Sequence, residues 1–145
     1  MSGYREDSFL PIQRVALALG QARNRLTAEL DSALAGTGVS GSHIGALLLL
    51  SLGVARTSVE VSKLLGIDPG FMTRVVDRLE RQGLVGRTRD CLDRRVVNLT
   101  LTEAGRNLAT QIAEIVPAVL NQRLSSFTPH EFRALQMLLG KLLEE

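Results

Sequence analysis

The sequence contains little cysteine and few aromatic residues, and each shortage excludes something. Its single cysteine, Cys91, cannot form an intramolecular disulfide, so a disulfide-bonded framework is excluded. With no Trp, one Tyr and four Phe in a chain that is 45% hydrophobic, the core is expected to consist of Leu, Val and Ala. That composition favours packed helices over a large sheet. A length of 145 residues predicts one domain, residues 1–145.

Long apolar runs and catalytic motifs are missing as well. The longest apolar stretch, residues 45–55, is shorter than the ~20 residues that cross a bilayer, so it predicts a buried helix and no membrane span. Residues 1–7 lack signal-peptide character, and we therefore expect a cytoplasmic protein. His43 and His130 have no zinc-binding spacing and no nucleophile elbow is present, so we expect no metal, no cofactor and no enzyme.

Basic residues are concentrated in the middle of the chain. The formal net charge is only +2. About half of all Lys and Arg nevertheless lie in roughly a quarter of the sequence. They are Arg56, Lys63, Arg74, Arg78, Arg81, Arg87, Arg89, Arg94 and Arg95. Because the planar Arg side chain suits phosphate groups and guanine edges, this region is the candidate surface for an anionic partner.

Apolar spacing predicts two helices before this basic region. The first runs from Ile12 to Leu34 and ends at the glycine-rich residues 36–38, and Ser40 can cap the second. Residues 36–41 also match a GxGxxG pattern, which in a dinucleotide-binding fold follows a strand. Since a helix precedes it here, we interpret this segment as an interhelical loop.

Two short helices follow, separated by a tight turn. Residues 57–60 have the form of a capping box, in which Thr57 and Glu60 can each bond the other's backbone amide. Asp68 is a suitable N-cap for the next helix and Pro69 is preset for its first position. Helices over 58–65 and 69–82, joined by about three residues, have the spacing of a helix-turn-helix.

The second of these helices has two distinct faces. Phe71, Val75 and Leu79, with Met72 as a further candidate, form the predicted inward stripe. The opposite face is polar and carries Gly70, Thr73, Arg74, Asp77, Arg78 and Arg81. In a groove-entering helix the first turns contact base edges, so Thr73, Arg74 and Arg78 are candidate DNA contacts. The alternative is an ordinary solvated helix face.

After Gly83 the apolar residues recur at every second position instead of at helical spacing. Residues 84–85 and 97–101 alternate with polar neighbours around a charged stretch, which predicts a β-hairpin with a basic tip. We place four arginines on that tip, where they suit phosphate groups or a narrow minor groove: Arg87, Arg89, Arg94 and Arg95. Asp90 and Asp93 leave open a charge-rich turn held by surface ion pairs.

Cys91 lies on the same predicted tip. Nearby Arg residues could stabilise its thiolate, and its oxidation would then disturb DNA contacts. Asp90 and Asp93 oppose the thiolate, so redox sensing and an inert exposed cysteine both remain open.

Two further helices close the chain. Thr102 can cap a helix that reaches Leu124, with Pro117 as a kink or interruption. Residues 128–131 form a second capping box ahead of a last helix. The apolar face of that helix is too wide to be left in water, so we expect it to form a dimer interface together with the first helix.

Residues 57–105 resemble the multiple antibiotic resistance regulator (MarR) family. The similarity lies in DPGFMTRVVDRLERQGLV (68–85) and in DRRVVNLTLTEAG (93–105), the latter with DRR, LT and a following helical Gly. It implies a mainly α fold with a small β-hairpin wing, that is, a winged helix-turn-helix with terminal helices that form a dimerisation domain. The lobe over 40–102 would bind DNA, and residues 8–36 and 103–145 would dimerise.

The resemblance also implies roles for individual residues. The helix from Asp68 to Gln82 would enter the major groove, Arg94 would reach the minor groove, and Asp93 would orient neighbouring wing arginines. In many members a small anionic or phenolic ligand weakens DNA binding, which makes such an effector a candidate partner here.

These observations predict a homodimeric DNA-binding transcription regulator, in particular a repressor on an inverted-repeat operator of double-stranded DNA. One alternative is a winged-helix protein-interaction module that does not bind DNA specifically, because a fold alone does not set function. An enzyme is the third hypothesis, and it would require a cleft that brings His43 or His130 beside a nucleophile or carboxylate.

Overall fold

The computed structural model describes residues 9–144, and the predicted domain's residues 1–8 and 145 lie outside that range. Within it the chain forms six helices and one hairpin, which confirms the predicted fold class. In chain order these are α1 (Phe9–Ala33), α2 (Gly41–Ser51), α3 (Ser58–Leu65), α4 (Pro69–Arg81), β1 (Val85–Arg89), β2 (Val97–Leu101), α5 (Glu103–Arg123) and α6 (Pro129–Leu143). None of the helices in the described range is long and apolar enough to cross a membrane.

The core lies between α2, α3, α4, the hairpin and the first half of α5. Leu47 of α2, Leu79 of α4 and Ile112 of α5 are fully buried in it. Helix α6 buries none of its described residues. Helix α6 thus contributes little to the core of a single chain.

The predicted helix starts are largely confirmed. Asp68 accepts from the Phe71 amide at 3.0 Å, and Thr128 and Glu131 exchange both bonds of their capping box. At α3 only half of the predicted box is present, because Thr57 accepts from the Glu60 amide but the Glu60 carboxylate accepts from the Arg56 amide at 2.7 Å. The flexible Glu side chain reaches one residue further back than predicted.

The predicted inward stripe of α4 is partly wrong. Met72, Val75, Val76 and Leu79 are buried, whereas Phe71 is 39% exposed. The buried set has the spacing i, i+3, i+4, i+7 of one helical face, and Phe71 lies at the margin of that face. The packed α3–α4 pair therefore decides which apolar residues point inward.

The hairpin places two of the predicted tip residues elsewhere. Arg87 pairs with Leu99 and Arg89 with Val97 in the antiparallel register, so both lie on β1 and not on the tip. The ladder continues further than the charged sequence suggested, and the tip comprises residues 90–96. We refer to β1, β2 and this tip together as the wing.

Helix α5 starts directly against the base of the wing. A Cβ built on Gly105 would lie 2.0 Å from the Leu84 carbonyl oxygen, so only glycine fits at this contact. The same Leu84 carbonyl accepts from the Thr102 amide at 3.0 Å. Helix α5 then continues from Glu103 to Arg123 with Pro117 inside it, so of the two predicted outcomes, a kink or an interruption, the interruption is absent.

Candidate nucleic-acid interface

The outward face of α4 carries the polar residues that the sequence predicted. Thr73, Arg74 and Arg78 are all exposed. The Thr73 hydroxyl donates to the Pro69 carbonyl at 3.0 Å, and the Arg74 guanidinium lies 5.8 Å from the centre of the Phe71 ring. Both contacts orient side chains of the first two turns while leaving them accessible from outside.

The other residues predicted as DNA contacts on α4 lie close to groups of the protein itself. The Asp68 carboxylate caps the helix. Gly70 is exposed next to that carboxylate, where an added Cβ would lie 3.1 Å from the Asp68 oxygen. Asp77 is half-buried and bonds Arg87. Both acidic side chains are therefore engaged within the protein, Asp68 as the helix cap and Asp77 in the ion pair with Arg87.

Arg87 joins the wing to α4. Its guanidinium donates to Asp77 at 2.7 Å and to Glu80 at 3.1 Å. These carboxylates raise the pKa of Arg87 above its ordinary value, mainly through the hydrogen bond to Asp77 and against the effect of burial. Arg87 therefore braces the wing against α4, a role that no local sequence pattern indicated because the partners are 7 and 10 residues away.

The wing tip is a hydrogen-bonded turn organised by Asp90. One carboxylate oxygen accepts from the amides of Leu92 at 2.8 Å and Asp93 at 3.3 Å, and the other accepts from the Asn98 amide group at 3.1 Å. These bonds, led by the one from Leu92, lower the pKa of Asp90. The tip is therefore held in a defined shape.

The remaining arginines of the wing surround this turn. Arg89 donates to the Arg94 carbonyl at 2.9 Å. Asp93 accepts from the backbone amide and the Nε of Arg95 at 3.0 and 3.2 Å. Arg94 and Arg95 are exposed, as is Cys91 beside them. Redox sensing by Cys91 stays a prediction.

A set of hydrogen bonds around the loop between α1 and α2 was not predictable from the sequence. Gln82, at the end of α4, donates to the Gly38 carbonyl at 2.8 Å, and Asp31 of α1 accepts from the Gly41 amide at 2.5 Å. His43 completes the N-terminal cap of α2, since its Nδ1 accepts from the Ser40 amide at 3.2 Å. The loop between α1 and α2 is thus bonded to the C-terminal end of α4.

His43 is buried and lies close to the charge of Arg78. Burial, followed by the Arg78 guanidinium, lowers its pKa, while the Ser40 bond and Asp31 act in the opposite direction. It lies in the first turn of α2. Among the described residues no group of three or more His, Cys, Asp or Glu is placed to hold a metal ion.

Two open clefts lie beside the core. One has a volume of about 620 Å³ and lies between α2, β2 and α5, with Arg56 and Arg106 on its wall beside Leu101 and Ala109. The other, of about 610 Å³, lies between α1, α2 and the start of α4 and includes Arg23 and Asp68. The first combines apolar walls with two guanidinium groups and the second with one.

The α3–α4 pair, with α4 outward and a bonded hairpin beside it, defines a winged helix-turn-helix protein. Residues 37–96 match a family model described as MarR family. The chain is 30% identical over 138 residues to the multiple antibiotic resistance protein MarR of Escherichia coli strain K12, with 94% of each chain covered. It belongs to the MarR family of transcription regulators, whose members are not enzymes.

Two further comparisons extend this finding. The HTH-type transcriptional repressor MdtR of Bacillus subtilis strain 168 is 25% identical over 130 residues, which cover 90% of this chain and 84% of MdtR. The crystal structure of a mutant MarR from E. coli complexed with operator DNA has a TM-score of 0.80 and 26% identity. That match covers 98% of this chain and 100% of the MarR chain.

Proposed function

We propose that this protein is a cytoplasmic, sequence-specific DNA-binding repressor that acts as a homodimer on an inverted-repeat operator. The observation that carries the proposal is the exposed arginine surface formed by the first turns of α4 and the adjacent wing. Similarity to MarR, solved with operator DNA, supports DNA as the partner. Similarity to MdtR, named a repressor, supports repression.

Helix α4 supplies sequence recognition in this proposal. Thr73, Arg74 and Arg78 contact base edges in the major groove, where an arginine fork can pair bidentately with guanine. Gly70 allows the DNA to approach the first turn closely, because it has no side chain. Asp68 and Asp77 act indirectly, the first as the helix cap and the second through Arg87.

The wing supplies contacts beyond the major groove. Arg94 enters the minor groove, whose narrow form concentrates negative potential. Arg89 and Arg95 contact phosphate groups, and Asp93 orients Arg95 through the two bonds described above. Arg87 holds the wing at its angle to α4 and does not itself need to touch DNA.

The terminal helices supply the dimer contact. Residues 8–36 and 103–145 form the dimerisation region and residues 40–102 the DNA-binding lobe. Leu17 of α1 and Leu142 of α6 are each 62% exposed in the single chain. A second copy would cover this surface, and two-fold symmetry would present two α4 helices to successive major grooves.

A small anionic or phenolic effector relieves repression in this proposal. The cleft beside Arg56 and Arg106 offers guanidinium groups next to apolar walls, which suits a carboxylate or phenolate on an apolar body. Binding there would change how α5 meets the wing and hence the spacing of the two α4 helices. Thermal stabilisation across a panel of aromatic acids, followed by loss of DNA affinity, tests this part.

Fluorescence anisotropy provides the main test. The purified protein is titrated with DNA flanking its own gene and with a scrambled duplex at several salt concentrations. We expect preference for the native DNA, a symmetric footprint and an affinity that falls with salt. Arg94→Ala should weaken binding and reduce the salt slope while the fold stays intact. Equal weak binding to both duplexes would instead favour the protein-interaction module.

A further inference from the structure

Leu92, at the apex of the wing, is an apolar side chain with nothing around it. It is 98% exposed, more than any other large hydrophobic residue reported for the described part of the chain. Its neighbours in sequence, apart from Cys91, are charged. A leucine in this position contributes nothing to the core, so its contribution must be sought outside the single chain.

The turn holds this leucine outward. The Asp90 carboxylate accepts from the Leu92 amide at 2.8 Å, the Asp90 amide donates to the Val96 carbonyl at 2.9 Å, and the Val96 amide donates to the Asp93 carbonyl at 3.0 Å. The tip is closed by these bonds on both sides of Leu92. Its side chain is therefore already presented before any partner arrives, which lowers the entropy cost of a contact.

The surroundings of Leu92 favour nucleic acid over protein as the partner. Asp93 separates Leu92 from Arg94 and Arg95 and pairs with Arg95, whose side chain is nevertheless 93% exposed. Arg89 is bonded to the same tip. Cationic side chains on both flanks are attracted to the narrow minor groove. A single protruding side chain is also too small for a stable protein interface, which needs ~800 Å² per partner.

We propose that Leu92 is an apolar contact of the wing with the minor groove, packing against the deoxyribose walls or a base step, and that Asp90 is its positioning residue. Leucine is one of the side chains that proteins insert into minor grooves, where it widens or kinks the duplex. The inference rests on the proposed function. The leucine contact would add a salt-independent contribution to the binding free energy of a surface otherwise dominated by arginine.

The first test compares Leu92→Ala with wild-type protein on a duplex that the wild type has selected from a randomised pool. We expect the Kd to rise roughly tenfold, as for loss of a partly buried leucine. The dependence of affinity on salt should be unchanged, because no phosphate contact is lost. Arg94→Ala should reduce that dependence, and Leu52→Ala, at a 72% exposed leucine after α2, should change nothing.

The second test addresses Asp90. Asp90→Ala leaves Leu92 in place but removes the carboxylate that bonds its amide, so DNA affinity should fall. If Asp90 acts through Leu92, the double variant should be no weaker than the weaker of the two single variants. Thermal unfolding of each variant checks that the fold is retained, which the exposure of Leu92 leads us to expect.

The outcomes separate this inference from the proposed function. If the wild type enriches no sequence from the pool, the proposed function and this inference both fail. If it enriches one and Leu92→Ala binds within twofold of wild type, or with a reduced salt slope, only the minor-groove contact is overturned. Additive losses in the double variant would overturn the positioning role of Asp90.

Discussion

The lobe over residues 40–102 and the terminal helices differ in how they treat apolar side chains. Helix α4 buries four of its residues against the rest of the lobe, whereas α6 buries none and leaves Leu138 58% exposed. The core of the lobe is therefore completed within one chain, with Leu108 and Ile112 of α5 packed into it. The terminal helices present an apolar surface that one chain leaves uncovered, which is the physical basis for expecting a second copy.

Polar contacts follow the same division. In the lobe, Arg87 bridges the wing and α4, and Gln82 bonds the α1–α2 loop. Between α1 and α5 the described ion pair joins Glu29 and Arg123, which are both partly exposed. The elements of the candidate DNA-binding surface are thus joined to one another by polar contacts, whereas the α1–α5 contact includes a partly exposed ion pair.

The largest effect should come from placing a charge on the uncovered apolar face. In a dimer, the carboxylate introduced by Leu138→Glu in α6 would have to be buried, and burial of an unpaired charge is costly. We therefore expect monomers and at least a hundredfold loss of DNA affinity. Light scattering after size exclusion and anisotropy measure the two effects. Gln136→Glu, an exposed polar position on the same helix, is the control. A dimeric Leu138→Glu protein would show that this face is not the interface.

A smaller effect is expected where α5 joins the wing. Gly105→Ala would place a methyl group against the Leu84 carbonyl oxygen, so backbone must shift, and we expect a loss of about 2–4 kcal/mol in unfolding free energy. Gly20→Ala in α1, where nothing lies within 4 Å of the added Cβ, is the matched control. Urea denaturation measures both. Equal stability of the two variants would contradict the close contact at Gly105.

Removing the brace between the wing and α4 should have a still smaller effect. Arg87→Ala loses two ion pairs whose partners are more than 40% exposed, so solvent screening limits the stability loss to about 0.5–1 kcal/mol. DNA affinity should fall because the wing loses its angle, with little change in salt slope. A double-mutant cycle with Asp77→Ala measures the coupling. A reduced salt slope would instead make Arg87 a phosphate contact.

The smallest effect concerns pH. Because burial and Arg78 lower the pKa of His43, the unfolded chain binds the proton more readily, so stability is full above pH 6.5 and decreases as pH falls through the lower folded pKa. Protonation would also remove the Nδ1 acceptor that caps α2. Urea midpoints at pH 7.5 and 5.5 should differ less in His43→Gln than in wild type. Identical differences would show that His43 does not carry this dependence.

Elements whose signals are local were predictable. The caps at Asp68 and Thr128 depend on side chains three residues from the amides they bond, and the helix periods repeat within a few turns. The alternation around the wing likewise predicted two strands. Where the pattern was only apolar, as at Phe71 and Val76, the sequence could not choose the buried face, because that choice belongs to the packing of α3 on α4.

The candidate site divides in the same way. Thr73, Arg74 and Arg78 followed from helical spacing within the predicted helix-turn-helix and wing, and their exposure agrees with it, although their contacts with DNA remain proposals. The bracing role of Arg87 could not be predicted in this way, because Arg87 on β1 meets Asp77 only after the hairpin has folded back on α4.

The sequence by itself determined the order of helices and strands, their caps and the arginine-rich centre, because these depend on residue identity and on bonds between near neighbours. Only the tertiary structure decided that Arg87 braces and does not protrude, that Gln82 and Asp31 bond the α1–α2 loop region, and that Val76 is buried while Phe71 is 39% exposed. Those outcomes depend on which segments meet although they are far apart in the sequence, and a pattern of near neighbours does not encode which distant segments meet.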